Sequence, residues 1–251
     1  MALRVALYDL ETSPIISYNW GIYEQNAIEV IEDWQILCFA YKWLGERKVY
    51  VVSQDDLKGY KPGVNNDLHV VRALHALFDE ADVVIAHNGD SFDQRKSHAR
   101  MMVHDLDPPS PYRSIDTLKI ARRYAGFTSN KLNDLGKRLG QGEKLETGGF
   151  KTWKGCLDGD PKAWKIMKNY NKRDVILLEK VYFQLLPWID NHPSMNLNEL
   201  ESCPKCGKGP MQKRGTMKTT KVGTRQRYQC QSCGGWCTDR NIIKSGVKYI
   251  N

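Results

Sequence analysis

Two Cys-x-x-Cys pairs, Cys203-Pro204-Lys205-Cys206 and Cys230-Gln231-Ser232-Cys233, stand 23 residues apart near the end of a 251-residue chain. Four thiolates so spaced form the ligand set of a tetrahedral structural zinc site, and the stretch between them suits a β-hairpin. Gly207 and Gly234, directly after each pair, allow the tight turns that such knuckles need. Five of the seven cysteines lie between positions 203 and 237, and the odd number together with the paired spacing favours metal binding over disulfides. Cys38 and Cys156 read as small core residues, and Cys237 as a thiol with no obvious partner. A module of only about 50 residues needs its metal in order to fold. The rest of the chain is long enough for one full domain. The expected organisation is a domain over 1–195 and a small module over 196–251, joined near the Pro- and Asn-bearing segment His192–Glu201.

Charge divides along the same line. The chain is formally +8, yet Cys203–Asn251 carries seven Lys and four Arg against one acid, Asp239, leaving the first 202 residues at −2. A basic module on a nearly neutral body points to a polyanion as partner. Lys213, Arg214, Lys218, Lys221, Arg225 and Arg227 lie on the expected hairpin with Tyr228 among them, a phosphate-tracking surface; a protein-docking role is the other reading. At 41% hydrophobic residues a core is expected and disorder is not. No apolar run reaches the roughly 18–20 residues of a membrane span. Asp9 interrupts the first apolar stretch before a signal-peptide core is complete, so no secretory leader is expected.

Within 1–195 the pattern is strands first, then strand and helix in alternation, which predicts an α/β sheet covered by helices. Arg4–Leu10, Ile36–Leu44, Lys48–Val52 and Val83–Ala86 read as strands. Asp67–Glu80 reads as a helix with Leu68, Val71, Leu74, Leu77 and Phe78 on one face. Ser91–Met102, the latter part of Ser114–Tyr124, and Asn130–Leu139 read as further helices, with Asp107–Pro111 as a loop. Gly148, Gly149 and Gly155 predict a mobile loop carrying Trp153 and Lys154. Asp160-Pro161 opens a long helix or a bent pair that runs to about Leu186, where Pro187 stops it.

The chemistry lies in four acids. Asp9 and Glu11 are two apart at the end of a strand, so both face one way, and two acids on an otherwise apolar strand repel each other unless a cation holds them. Exposed loop acids are the simpler alternative. Asp93 follows a short strand and opens a helix; it either caps that helix or projects over the same sheet edge. Tyr170 and Asp174 are four apart on one helix face, with Asp174 beside the apolar run Val175–Leu178. That acid is either paired on the surface or buried, where it needs a cation or hydrogen-bond donors.

Asp-x-Glu on the first strand, Asn88-x-x-x-Phe92-Asp93 in the middle and Tyr170-x-x-x-Asp174 on a late helix follow one another over about 165 residues. This order resembles the DEDD superfamily of 3′→5′ exonucleases on the RNase H-like fold, in its Tyr-containing branch, including the free-standing type many bacteriophages carry. Ser114–Leu118 and Lys131–Gly140 are similar to intervening segments of that family, and the resemblance covers roughly 1–190. The related His-containing branch has its His five residues before the last Asp; Asn169 stands there instead. The cysteine module resembles the zinc ribbons of nucleic-acid enzymes.

The resemblance implies a fold, a mixed α/β RNase H-like sheet flanked by helices with a small four-cysteine zinc ribbon. It implies hydrolysis of DNA or RNA from the 3′ end, releasing 5′-mononucleotides, with two Mg²⁺ or Mn²⁺ ions in catalysis and one structural Zn²⁺. By motif, Asp9 would bridge both catalytic ions, Glu11 and Asp174 would hold the one that activates water, Asp93 would support the other, and Tyr170 would orient the water. Asn88 and Phe92 would position the terminal nucleotide, with a core place as the other reading of Phe92. From their Gly-flanked loop Trp153 and Lys154 would stack on a base and meet a phosphate, with Trp153 packed on the helix below as the other reading. The expected partners are single-stranded or 3′-ended nucleic acid and proteins of replication or recombination, with no membrane; the expected location is a bacterial cytoplasm. Two other readings are a structure-specific endonuclease on the same fold and a non-catalytic nucleic-acid-binding protein. All four acids and Tyr170 being present weighs against the second.

Overall fold

A computed structural model describes residues 3–23, 26–63, 66–195, 201–219, 223–241 and 243. The chain divides into two compact units, Arg4–Arg122 with Gly126–Val181, and Met1–Leu3, Arg123–Ala125 and Tyr182–Asn251.

The first unit is built on a five-stranded mixed sheet of order β5-β4-β1-β6-β7. Its strands are β1 (Val5–Thr12), β4 (Ile36–Trp43), β5 (Tyr50–Ser53), β6 (Val83–Ala86) and β7 (Arg113–Asp116). β1, β6 and β7 run parallel, while β4 and β5 pair antiparallel on the other side of β1. A central strand buried on both faces must be apolar almost throughout, and β1 is so until it reaches Asp9 and Glu11. Ala6, Tyr8 and Leu10 pack with Phe39 and Trp43 against α1 (Leu68–Glu80) and Met101 of α2 (Asp93–Val103). On the other face Leu37 and Cys38 join Cys156, Trp164 and Met167 from α5 (Phe150–Leu157) and α6 (Pro161–Leu185). α3 (Thr117–Tyr124) follows β7 directly, and α4 (Leu132–Arg138) precedes α5.

The expected α/β architecture is what the fold has, with three differences of detail. The buried positions of α1 include Val70, whereas Leu68 is half-buried. The segment with Gly149 and Gly155, expected as a mobile loop, is instead the helix α5. Gly155 sits inside it because α6 passes so close: a Cβ there would fall 2.6 Å from Ala163 Cβ. The glycine serves helix packing, and its helix cost of about 1 kcal/mol is offset by that contact. The third difference is an arm. Beyond Ser13 and Gln35 the β1–β4 pair continues as a two-stranded ribbon, β2 (Ile16–Tyr18) with β3 (Glu29–Glu32). Trp20, Ile22 and Tyr23 on this arm are 79–89% exposed.

Asp160 accepts from the amide of Lys162 at 2.9 Å, so the expected Asp-Pro start of α6 is present. No helix among the described residues is long and apolar enough to cross a membrane. The second unit holds a three-stranded antiparallel sheet, β8 (Met211–Thr219), β9 (Gly223–Cys230) and β10 (Trp236–Thr238), with β9 in the middle.

Candidate active site and metal centres

Asp9 and Glu11 leave β1 on the face opposite Tyr8 and Leu10, on the side of the sheet that α6 covers. Along α6 the apolar series Ala163, Trp164, Met167, Val175, Leu178 is interrupted by Asn171 and Asp174, both fully buried. Asn171 donates from Nδ2 to Asp9 Oδ2 at 2.7 Å and to the Asp9 carbonyl at 3.2 Å. Asp9, Glu11 and Asp174 each offer a carboxylate oxygen within 4.8 Å of the others.

Asp93, the first residue of α2, is buried and accepts the Leu10 amide at 3.1 Å, between the two β1 acids. It lies outside the three-acid cluster. Its place is held by the preceding turn, where Asn88 takes a left-handed φ of 70°. Asp116 accepts the amides of Asn88 and Leu118, each at 2.9 Å, and so ties that turn to the start of α3.

Four carboxylates gathered this way strain one another. Burial, then the neighbouring Asp174, raises Asp9 to about 7, against the lowering effects of Lys144 and Asn171. Glu11 and Asp93 are raised well above the usual carboxylate range, by burial and then by Asp9. Asp174 is raised as well, by burial, although Lys144 works in the other direction. A site that holds its acids this unwillingly ionised is one that a divalent cation relieves. Asp174 Oδ1 is buried and meets no donor among the described residues, leaving a lone pair for such a cation. The donor set, all carboxylate oxygen, suits Mg²⁺ or Mn²⁺.

Lys144, in the loop between α4 and α5, donates from Nζ to Asp174 Oδ2 at 2.6 Å and to the Tyr170 hydroxyl at 3.0 Å. The Asn133 side chain accepts the Lys144 amide at 2.9 Å and holds that loop. Burial would depress the Lys144 ammonium, yet Asp174 and Asp9 raise it above its ordinary value. Tyr170 is half-buried and its phenol is pushed up by burial and by Asp174, so it stays protonated. Trp153 of α5 meets Tyr170 edge-on, ring centroids 6.2 Å apart. Lys154 is exposed and pairs with Asp158, the residue that closes its helix.

Two open cavities adjoin at Asn133 and Lys144, which line both. One, of about 510 Å³, includes Tyr170, Gly148 and Gly149. The other, of about 660 Å³, includes Asn88, Arg122 and Lys131. Phe92 is 37% exposed at the start of α2, where Lys96 stands 6.0 Å from its ring and 3.5 Å from that of Trp34. His87 has both ring nitrogens engaged, with Thr117 Oγ1 and the Asn130 carbonyl, and burial drives it down to about 4. It is a neutral support at neutral pH.

In the second unit Cys203, Cys206, Cys230 and Cys233 bring their sulfurs within 4.8 Å of one another, and none is in a disulfide. The pairs Cys203–Cys233 and Cys206–Cys230 are each 3.8 Å apart. Four sulfurs about 2.3 Å from one tetrahedral ion would be about 3.8 Å apart, so the set fits Zn²⁺. Cys203 and Cys230 are the only buried apolar side chains in the described part of 201–243, and the compact unit they belong to adds Tyr182, Leu185, Leu186 and Ile189. Cys237 lies across from Tyr228 on β10, outside the cluster.

The basic residues of this module do not share one face. Lys213 pairs with Tyr228 on one side of the sheet, while Arg225, Arg227 and Gln229 alternate onto the other. Arg214 falls in the bulge between Lys213 and Thr216. Arg225 donates to the carbonyls of Asp239 and Arg240, at 3.0 and 2.6 Å. Of Lys218 only its backbone place in β8 is described, and Lys221 lies outside the described residues.

Sequence reasoning missed Lys144, Asn171 and Trp236. For Asn171 the signal was present, a polar residue three before Asp174 in an apolar helix stripe. Lys144 sits in an irregular loop and leaves no periodic trace.

A family model described as RNase_H superfamily matches residues 45–186, a span that holds Asp93, Tyr170 and Asp174 and begins after β1. Among solved structures, the family B DNA polymerase from the hyperthermophilic archaeon Pyrobaculum calidifontis is similar over 74% of this chain, with 16% identity and a TM-score of 0.53. The aligned region is 25% of that polymerase, so the likeness concerns the fold of one part of it. A search of curated proteins finds no match.

Proposed function

The chain belongs to the RNase_H superfamily, and from that premise we propose that it is a metal-dependent 3′→5′ exonuclease of the Tyr-containing DEDD type, acting on DNA or RNA. The observation that carries this reading is the cluster of Asp9, Glu11 and Asp174, with Asp93 bound to the β1 backbone between the first two.

Asp9, Glu11 and Asp174 would hold one divalent ion, and Asp9 with Asp93 a second, either Mg²⁺ or Mn²⁺. Such ions, when bound, supply positive charge at the attacking and leaving oxygens of a phosphodiester. Asn171 keeps Asp9 turned toward Asp174 through its 2.7 Å hydrogen bond. Tyr170, protonated, is a hydrogen-bonding partner that orients a water near the carboxylates and is not a base. Lys144 fixes that phenol and offsets part of the negative charge on Asp174 and Asp9. Asn88 and Phe92, on the turn that carries Asp93, would meet the terminal nucleotide. Trp153 acts here through Tyr170, whose ring it backs. The four-cysteine cluster would hold one structural Zn²⁺, and exposed Lys213 and Arg214 would meet phosphates from the basic module.

The test is a linear against a circular single strand, each incubated with Mg²⁺ or Mn²⁺. The linear strand is expected to be degraded and the circle to remain closed. A nicked circle would overturn the exonuclease reading in favour of an endonuclease. Lys144→Met is expected to lower the initial rate on the linear strand by about 10²-fold, the typical worth of one positioned donor. Unchanged turnover at saturating substrate would overturn the positioning role and leave Lys144 as a substrate-binding residue only.

A further inference from the structure

The register of the second unit's sheet collects a specific set of side chains on one face. Trp236 lies opposite Gln229 and Thr238 opposite Arg227, while Gln212 lies opposite Gln229 and Met217 opposite Arg225. Residues directly opposite one another on paired strands share a face. Trp236 is 46% exposed, and the Arg227 guanidinium stands 5.7 Å from the centre of its ring. Arg227 faces the bulge at Gly215, where a positive φ of 72° lets β8 turn aside; a Cβ there would come within 3.7 Å of the guanidinium. The bulge thus sits in ordinary contact distance of Arg227, and the positive φ is what calls for glycine there. An exposed indole backed by an arginine, on a module of net charge +10, matches a polyanion that carries flat aromatic groups.

We infer that this face binds single-stranded nucleic acid, with one base stacked on Trp236 and the adjoining phosphate on Arg227. The inference rests on the reading of the chain as a nucleic-acid enzyme and deepens it by naming the form of the substrate. A base inside a duplex has both its faces covered by neighbours, so only an unpaired strand can offer one to the indole. Phosphate contacts from Lys213 and Arg214 are indifferent to strandedness. Selectivity for a single strand therefore resides in Trp236.

The experiment uses the full chain carrying Asp9→Asn, so that bound strands are not consumed. Fluorescence anisotropy is read with a labelled single-stranded oligothymidylate and with a duplex of equal length, across a salt series. Trp236→Ala is expected to weaken single-strand binding about tenfold while leaving duplex binding and the salt slope unchanged. Trp236→Phe should recover most of the loss. Arg227→Ala should weaken both and reduce the salt slope by about one. Zinc content of each variant reports whether the module is still folded. Equal losses on single strand and duplex, or no loss on either, in a zinc-loaded Trp236→Ala protein would overturn the inference. Because the readout is binding, a wild-type chain that fails to cleave while the Asp9→Asn protein binds as expected would contradict the nuclease reading alone.

Discussion

Asp9→Asn is expected to change activity and stability in opposite directions. It removes the carboxylate shared by both proposed ions, so phosphodiester hydrolysis should fall by roughly 10³-fold or more, about 4 kcal/mol of transition-state stabilisation. In divalent-free buffer at pH 8 the same variant should melt at a higher temperature than the wild type. The native environment raises Asp9 from 3.8 to about 7. An acid whose folded-state pKa is raised favours the folded state while protonated and loses that stability as pH climbs from about 4 to about 7. Above pH 7 the cost is at most about 4 kcal/mol, less whatever solvent screening the half-buried side chain retains. At about 2–4 °C per kcal/mol for a unit of this size, the variant should gain several degrees at pH 8 and nothing at pH 4. Mg²⁺ should raise the melting temperature of the wild type and narrow the gap. A gain that is the same at both pH values would show that the acids are not held under mutual repulsion.

The second large effect concerns the cysteines. Among the described residues of 201–243 only Cys203 and Cys230 are buried apolar side chains, so folding of this segment is expected to lean on its metal. The protein is expected to hold one zinc per chain. Cys203→Ser should lose it, unfold the module to limited proteolysis and weaken binding of long strands, while cleavage of a dinucleotide persists. Cys237→Ser, outside the cluster, should lose no zinc and bind as the wild type does. Zinc retained by Cys203→Ser, or lost by Cys237→Ser, would contradict the assignment of the four ligands.

Much of the fold is legible because its signals are local and periodic. β1 is an apolar run that ends in acids, α1 has an apolar stripe, and Asp160-Pro161 opens α6. The proximity of Asp9, Glu11 and Asp174 could be argued only from the order of motifs, since 162 residues separate Glu11 from Asp174. What sequence reading misses is tertiary in origin. Gly155 looks like a loop residue until α6 is seen to need its missing side chain. The β2–β3 arm leaves its large apolar residues in solvent, so no pattern of buried and exposed positions marks its strands. Lys144 reaches Asp174 from an irregular loop 30 residues earlier, and no spacing rule foretells such an ion pair. Trp236 acquires its setting only from the register of β10 on β9.

The most direct test of the account is a time course on a 5′-labelled single strand, offered as DNA and as RNA with Mg²⁺ or Mn²⁺, comparing the wild type with Asp9→Asn. A metal-dependent 3′→5′ exonuclease should give a ladder that shortens from the 3′ end in single-nucleotide steps, requires the divalent ion and is absent in the variant. Internal cuts, release of the labelled 5′ nucleotide first, or a ladder that survives Asp9→Asn would contradict it.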